Sequence, residues 1–236
     1  MAASPPEEAQ FSAHALQIFE QARKVHTAQP TNSEAAWKFA RACFDWAEFA
    51  TNSTERADLA QQGITACRDV LARDPKSAAA HYYLAMNLGQ LARTRGLSAL
   101  KLVNEMEKEF TLACSLDEHL DFAGPDRNLG LLYRDAPSFG SIGSRSKARK
   151  HLTRATELAP DYPENRLSLV ESDVQWSDLN SARRELKLLE DVLPKARTNL
   201  VGDDWASSWA DWTPRFDEAK KKIEAPPKPL DAHKRN

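Results

Sequence analysis

Residues 124–160 read GPDRNLGLLYRDAPSFGSIGSRSKARKHLTRATELAP, and residues 161–194 read DYPENRLSLVESDVQWSDLNSARRELKLLEDVLP. Laid over one another, Ala148 falls on Ala182, Leu152 on Leu186, Ala155 on Leu189 and Pro160 on Pro194, each pair 34 residues apart. Within each copy the apolar positions step by four and then three, the spacing of one helix face. Each copy therefore predicts an amphipathic helix with a proline at its end. A fixed period in the thirties implies stacked units, each covering the apolar face of its neighbour.

The same register continues upstream. From Gly63 to Met106 is 43 residues and from Met106 to Ala148 is 42, and Cys67, Phe110 and Leu152 keep those offsets, as do Val70, Ala113 and Ala155. A preceding helix accompanies each marker set: Trp37, Ala40 and Phe44; then His81, Leu84, Ala85 and Leu88; then Asp126-x-x-Leu129-Gly130-x-x-Tyr133. This pattern resembles the tetratricopeptide repeat (TPR), with Asp126 standing where the repeat has tryptophan. The resemblance implies an all-α, right-handed solenoid of about four helix pairs with a capping helix at each end. The expected divisions are a cap helix over 5–28, repeats over 33–75, 78–118, 124–160 and 163–194, and a tryptophan-rich cap helix over 203–224. A disordered tail is expected over 225–236, where proline and charge dominate.

The extra residues in the first three units are not scattered. Between the two helices of a standard unit the markers lie 9 apart, as Asp173 and Ala182 do. Phe44 to Gly63 is 19, Leu88 to Met106 is 18 and Tyr133 to Ala148 is 15, so extended turns are expected along one edge of the stack. In the second unit Leu88, Leu91, Leu100 and Val103 continue the apolar pattern, which predicts that both helices are lengthened.

Local signals set the ends of the elements. Ser4 is the expected cap of the first helix, with Pro5 and Pro6 in its first turn and Glu7 at the capping-box position. Thr31 or Ser33 should cap the second helix. Trp205, Trp209, Trp212, Phe216 and Ala219 form a stripe that suits either a cap packed on the fourth unit or a surface for a partner. Pro214 should kink or restart that helix. Gly140 and Gly143 favour a tight turn after Asp135, with Ser144 or Ser146 capping a helix that begins near Lys147.

Composition excludes several classes. A net charge of −2 gives no electrostatic footprint for nucleic acid or an anionic membrane. No apolar run approaches the roughly 20 residues that span a bilayer. The opening MAASPPEEAQ has no basic and apolar leader pattern, so the expected location is cytoplasmic, or periplasmic if a signal peptide has been removed. Cys43, Cys67 and Cys114 are odd in number and read as small buried apolar residues, with a Cys43–Cys67 bridge as the alternative. The six histidines show no HExxH spacing and there is no Gly-x-Ser-x-Gly elbow. No catalytic residue, metal or cofactor is expected.

In this repeat the first helix of each pair lines the concave face, and the resemblance implies that positions two, five, nine, twelve and thirteen point into it. Those positions give Lys38, Asp45 and Trp46; Tyr82, Met86 and Gln90; Arg127, Leu131, Arg134 and Asp135; and Leu167, Glu171, Val174 and Gln175. Arg127 and Arg134 lie two turns apart on one helix face, and guanidinium forks suit a carboxylate or phosphate. Their internal alternatives are Asp126 or Glu164 for Arg127, and Asp135 for Arg134. The carboxylate clamp of chaperone-binding members has only Lys38 and Asn128 as loose counterparts here. The expected function is a non-catalytic adaptor for a protein or peptide ligand, engaged through a carboxylate, with self-association also open. The layout over residues 35–176 also resembles the T-component proteins of TRAP transporters and the regulator of microtubule dynamics proteins. The first of these implies the rival reading, a periplasmic solute-binding accessory of a transporter.

Overall fold

The structure is a computed structural model, and it describes residues 5–96 and 99–225. Ser4 and the tail from residue 226 onward lie outside the described residues. Ten α-helices and no strands occur among the described residues: α1 (Pro5–Ala28), α2 (Ser33–Ala47), α3 (Ser53–Arg73), α4 (Ala78–Ala92), α5 (Ala99–Leu116), α6 (Leu120–Asp135), α7 (Arg145–Leu158), α8 (Pro163–Gln175), α9 (Leu179–Asn199) and α10 (Asp203–Glu224). Helices α2/α3, α4/α5, α6/α7 and α8/α9 pack as four consecutive pairs, and the second helix of each pair also packs on the first helix of the next. This is the TPR-like solenoid that the register implies.

Caps explain most starts. Asn32, rather than Thr31 or Ser33, caps α2, its side-chain oxygen accepting from Glu34 N at 2.9 Å and Ala35 N at 3.1 Å. Asparagine is a preferred cap, and its place one residue ahead leaves Ser33 as the first helical residue. Ser77 caps α4 and Ser144 caps α7 in the same way. Pro75 and Pro160 each follow a helix end closely.

Two prolines behave differently from expectation. Pro194 does not end α9, which runs to Asn199, and Pro214 neither ends nor restarts α10. An interior proline removes one backbone bond. In both helices apolar residues on either side of the proline are anchored in shared clusters: Leu189, Leu193 and Leu200 around Pro194, and Trp212 with Phe216, Ala219 and Ile223 around Pro214. Burying one such side chain contributes about 1.5–3 kcal/mol, which offsets the lost bond.

The insertions are also of two kinds. In the first pair the extra residues are helical, because α3 starts at Ser53, ahead of Gly63. In the third pair they form a long loop, over 136–144. That loop is closed by Gly143 N donating to Pro137 O at 3.1 Å and Ser144 N donating to Tyr133 O at 2.9 Å. A Cβ on Gly143 would lie 2.1 Å from Ala136 O, so the closure needs glycine.

One continuous core runs from Phe19 through Phe39, Cys43, Ile64 and Cys67 to Leu88, Phe110, Leu129 and Tyr133. Cys43 and Cys67 are both buried in it and unbridged. Asn87, fully buried, donates to Ala40 O at 2.9 Å and Tyr83 O at 2.8 Å, stitching α4 to α2. Gly63 makes room for it, since a Cβ there would meet Asn87 Oδ1 at 2.4 Å.

The tryptophan register of the repeat is filled in two ways. In the first pair it holds Trp37, which stacks on Tyr83 with ring centroids 5.7 Å apart. In the other three pairs it holds His81, Asp126 and Arg166, each paired with one residue of the following helix. His81 Nδ1 meets Glu109 Oε2, His151 Nδ1 lies 2.7 Å from Asp126 Oδ1, and Arg166 lies 2.5 Å from Glu185 Oε2. Glu109, His151 and Glu185 all stand three residues beyond the small or flexible marker (Met106, Ala148, Ala182), so the pairs share one register.

Candidate functional site

The site begins where α6 begins. Asp121, Phe122 and Ala123 are non-glycine residues with φ of 49°, 56° and 61°, a left-handed turn, and right-handed helix follows from Gly124. Left-handed geometry costs roughly 1–2 kcal/mol per L-residue, so the surroundings must fix it. They do so from three sides. Tyr82 donates its hydroxyl to Asp121 Oδ2 at 2.8 Å, and Asn128 Nδ2 donates to Tyr82 Oη and to Gly124 O, both at 3.0 Å. Asn165 Nδ2 donates to Phe122 O at 2.9 Å, and the Phe122 ring stacks on Tyr162 at 4.4 Å. A Cβ on Gly124 would lie 2.5 Å from Tyr82 Oη, so glycine is required for this approach.

Arg127 completes the lock. It is 7% exposed, donates to Asn165 Oδ1 at 2.8 Å, lies 3.7 Å from Asp121 Oδ2 and stands over the Tyr162 ring at 5.3 Å. Burial opposes its charge, yet its pKa is held above the usual value, with Asp121 and Glu164 the carboxylates that favour the cation. Burial and then Asp121 push the Tyr82 phenol well up, so it stays a donor.

The last helix closes this face. The first helices α4, α6 and α8 lie side by side on one face of the stack, and α10 packs mainly on α8 and only lightly on α9, whereas α4, α6 and α8 each pack chiefly on the second helix of a pair. Trp212 is buried, Trp209 donates its indole N–H to Leu200 O at 2.7 Å, and Trp205 meets Phe122 edge-on at 5.8 Å. The tryptophan stripe is thus covered by the chain itself. Arg215 reaches from α10 to Glu171 at 2.7–2.8 Å, to Glu164 at 3.0 Å and to Asp211 at 2.6 Å. Helix α10 also meets α1, where His14 Nε2 lies 3.1 Å from Asp204 Oδ1.

Two recesses flank Arg215. One, of about 380 Å³, is lined by Tyr82, Met86, Asp121, Arg127, Asn128, Leu131, Tyr162, Glu164 and, from α10, Ser207, Ser208, Asp211, Trp212 and Arg215. The other, of about 780 Å³, is lined by Arg134, Glu171, Val174, Gln175 and the α10 residues Pro214, Arg215, Glu218, Ala219 and Lys222.

The expected groove residues divide accordingly. Tyr82, Met86, Arg127 and Leu131 share the first recess, and Arg134 and Glu171 share the second. Arg134 is already spent on Asp135, at 2.6 and 2.9 Å, and on Ser172 at 3.3 Å. Gln90 is buried and donates to Glu48 Oε1 at 2.6 Å and Phe44 O at 3.3 Å. Lys38 pairs with Glu34 at 2.6 Å, and Trp46 packs on Phe49 at 5.9 Å. Leu167 is core rather than surface. Arg127 and Arg134 therefore do not present a shared free fork: each guanidinium is held by groups of its own chain, because burial at the start of α6 requires Arg127 as a donor. Asp121, Tyr162 and Arg215 were not among the expected site residues. Arg215 carries the one sequence signal, an acidic residue, Asp211, one turn before it.

These features define a helical-repeat scaffold with the TPR fold. Among solved structures, the chain is similar to TTC0263, a thermophilic TPR protein in Thermus thermophilus. The TM-score is 0.64 at 18% identity, covering 90% of this chain and 96% of that one. A crystal structure of MamA superposes with a TM-score of 0.53 at 16% identity, covering 84% and 99%. Residues 7–123, just under half of the chain, match the family model described as regulator of microtubule dynamics protein 1-3. No curated protein sequence matches the chain.

Proposed function

We propose that the chain is a protein-binding scaffold that holds a peptide segment of its partner on the face formed by α4, α6, α8 and α10. The observation that carries this reading is the first recess. It brings the partly exposed apolar side chains of Met86 and Leu131 beside the partly exposed polar groups of Asn128 and Glu164. Apolar surface with a few rigid polar groups is the usual make-up of a binding cleft, and its volume suits one or two side chains rather than a whole folded domain. The two arginines enter this reading as parts of the frame, not as readers of a carboxylate.

The test is retention of the purified chain on an immobilised peptide library, with a Met86→Lys/Leu131→Lys variant alongside. Both positions are partly exposed, so the variant should keep the helical signal and melting temperature of the parent. Selective peptide retention that disappears in the variant is the expected result. A chain that retains no peptide, or a variant that binds as its parent does, would sink the proposal.

A further inference from the structure

The half of α10 that covers the first recess is held more lightly than the half beyond it. The buried residues of α10 are Trp212, Ala219 and Ile223, so none from Asp203 to Asp211 is buried. Ala219 and Ile223 share a cluster with Val170, Ala182 and Leu186, which anchors the second half on α8 and α9. The first half is seated by two partly exposed tryptophans and one exposed ion pair. Trp205 meets Phe122 and Tyr162 edge-on at 5.8 and 6.1 Å, and Asp204 meets His14. The Trp209 indole bonds to Leu200 O, in the turn that leads into α10, so that bond ties the segment only to its own entry.

Both ends of this half can bend. Gly202, just before it, has a φ of 88°, which glycine adopts freely. Pro214, just after it, has no N–H to donate to Ala210 O, so the helix ladder is one bond short there. Between these two points the segment lies over a face suited to a ligand. Ser207, Ser208 and Asp211 share the recess with Met86 and Leu131, and Phe122 beside them is 42% exposed. Glu171, an expected groove residue, is likewise taken from within the chain, by Arg215 at 2.7–2.8 Å.

We infer that residues 203–213 form a strap that competes with the ligand for this face, and that the ligand is an amphipathic helix with an aromatic stripe. The strap itself shows that such a helix fits there, with Trp205 already packed on Phe122 and Tyr162. This rests on the scaffold reading above, adds the regulation of its site and narrows its ligand. The ligand lays its aromatic residues on Met86, Leu131 and Phe122 as the strap lifts between Gly202 and Pro214. Apparent affinity is then reduced by the fraction of chains whose strap is shut, so loosening the strap tightens binding.

The experiment uses the full chain and a fluorescently labelled synthetic peptide of residues 203–216, read by polarisation. A His14→Ala/Trp205→Ala variant is run beside the parent; neither position is buried, so its circular dichroism should be unchanged. The variant should bind the peptide about tenfold more tightly, and adding Met86→Lys/Leu131→Lys should abolish the gain. Hydrogen exchange on the parent alone is the second readout. Amides of residues 205–213 should exchange roughly tenfold faster than those of 217–224. Equal protection of the two halves, or a variant that binds no more tightly than its parent, would overturn the inference and leave the scaffold reading standing. A labelled peptide that binds neither chain would also overturn it, while retention of the parent on the peptide library decides the scaffold reading separately.

Discussion

The first repeat and the three that follow it use one register position in opposite ways. Trp37 of α2 stacks forward on Tyr83 of α4, joining the first pair to the second. His81, Asp126 and Arg166 instead close their own pairs through polar couples with Glu109, His151 and Glu185. An aromatic plug is indifferent to its neighbour's identity, because dispersion and burial need only shape. A buried polar couple is not. It stabilises little relative to a good apolar plug, yet removing one member strands a desolvated polar partner. The difference teaches that these three units carry their stability in couples within each pair.

The comparison is broken most directly at the deepest couple. His81 and Glu109 have side chains 8% and 6% exposed. Glu109→Ala should lower the unfolding free energy by about 3–5 kcal/mol in urea titration. Adding His81→Trp should recover part of that loss by replacing the stranded imidazole with the tryptophan that the first repeat carries at this position. If the double variant stays as unstable as the single one, the two modes of closure are not interchangeable.

A second effect concerns Asp173, on the Tyr133 register of the fourth repeat. Its side chain is 1% exposed, lies 2.9 Å from Arg149, and burial pushes its carboxyl up to about 6 despite that arginine. A carboxyl that binds its proton more tightly when folded favours the fold below the ordinary value of 3.8 and loses that favour as pH rises through about 6. Asp173→Asn should therefore remove a stability difference of about 2 kcal/mol between pH 4 and pH 7. Unfolding curves at the two pH values measure it, and an unchanged pH dependence would show that Arg149 holds the carboxylate charged.

The shallower couples should matter less. Arg166 and Glu185 are 13% and 21% exposed, and Glu185→Gln should cost about 1 kcal/mol by thermal melting, well short of Glu109→Ala. A loss as large as that at Glu109 would put the cost in register rather than in burial. Smallest of all, Phe139→Ser on the 136–144 loop should change stability by less than about 0.5 kcal/mol, since Phe139 is 97% exposed. A larger change would mean that the loop tip packs on something in solution.

What the sequence disclosed follows the same division. The register of Gly63, Met106, Ala148 and Ala182 was readable because small or flexible residues at helix crossings recur where backbones approach. The couples were readable in principle, since residues able to pair stand at two fixed register positions in three successive units. Periodicity assigns a residue to a face but not to a partner, and so Arg127 could be placed beside the recess yet not tied to Asn165, 38 residues away. The left-handed turn at Asp121–Ala123 left no trace, because none of its three residues is the glycine that usually marks such geometry. The course of α10 was equally hidden. Its tryptophan stripe fixes which side is apolar, but only the aromatic cluster around Phe122 and Tyr162 decides where that side lands.

The meeting of α1 and α10 at His14 and Asp204 changes how the array would respond to force. An open stack of repeats is a spring whose coils separate one after another from a free end. Here the two ends also touch, so tension applied through them first loads the small α1–α10 contact, with little strain in the coils. Only after that clasp opens would the stack begin to lengthen, giving an initial yield at low force followed by the gradual extension of an ordinary solenoid.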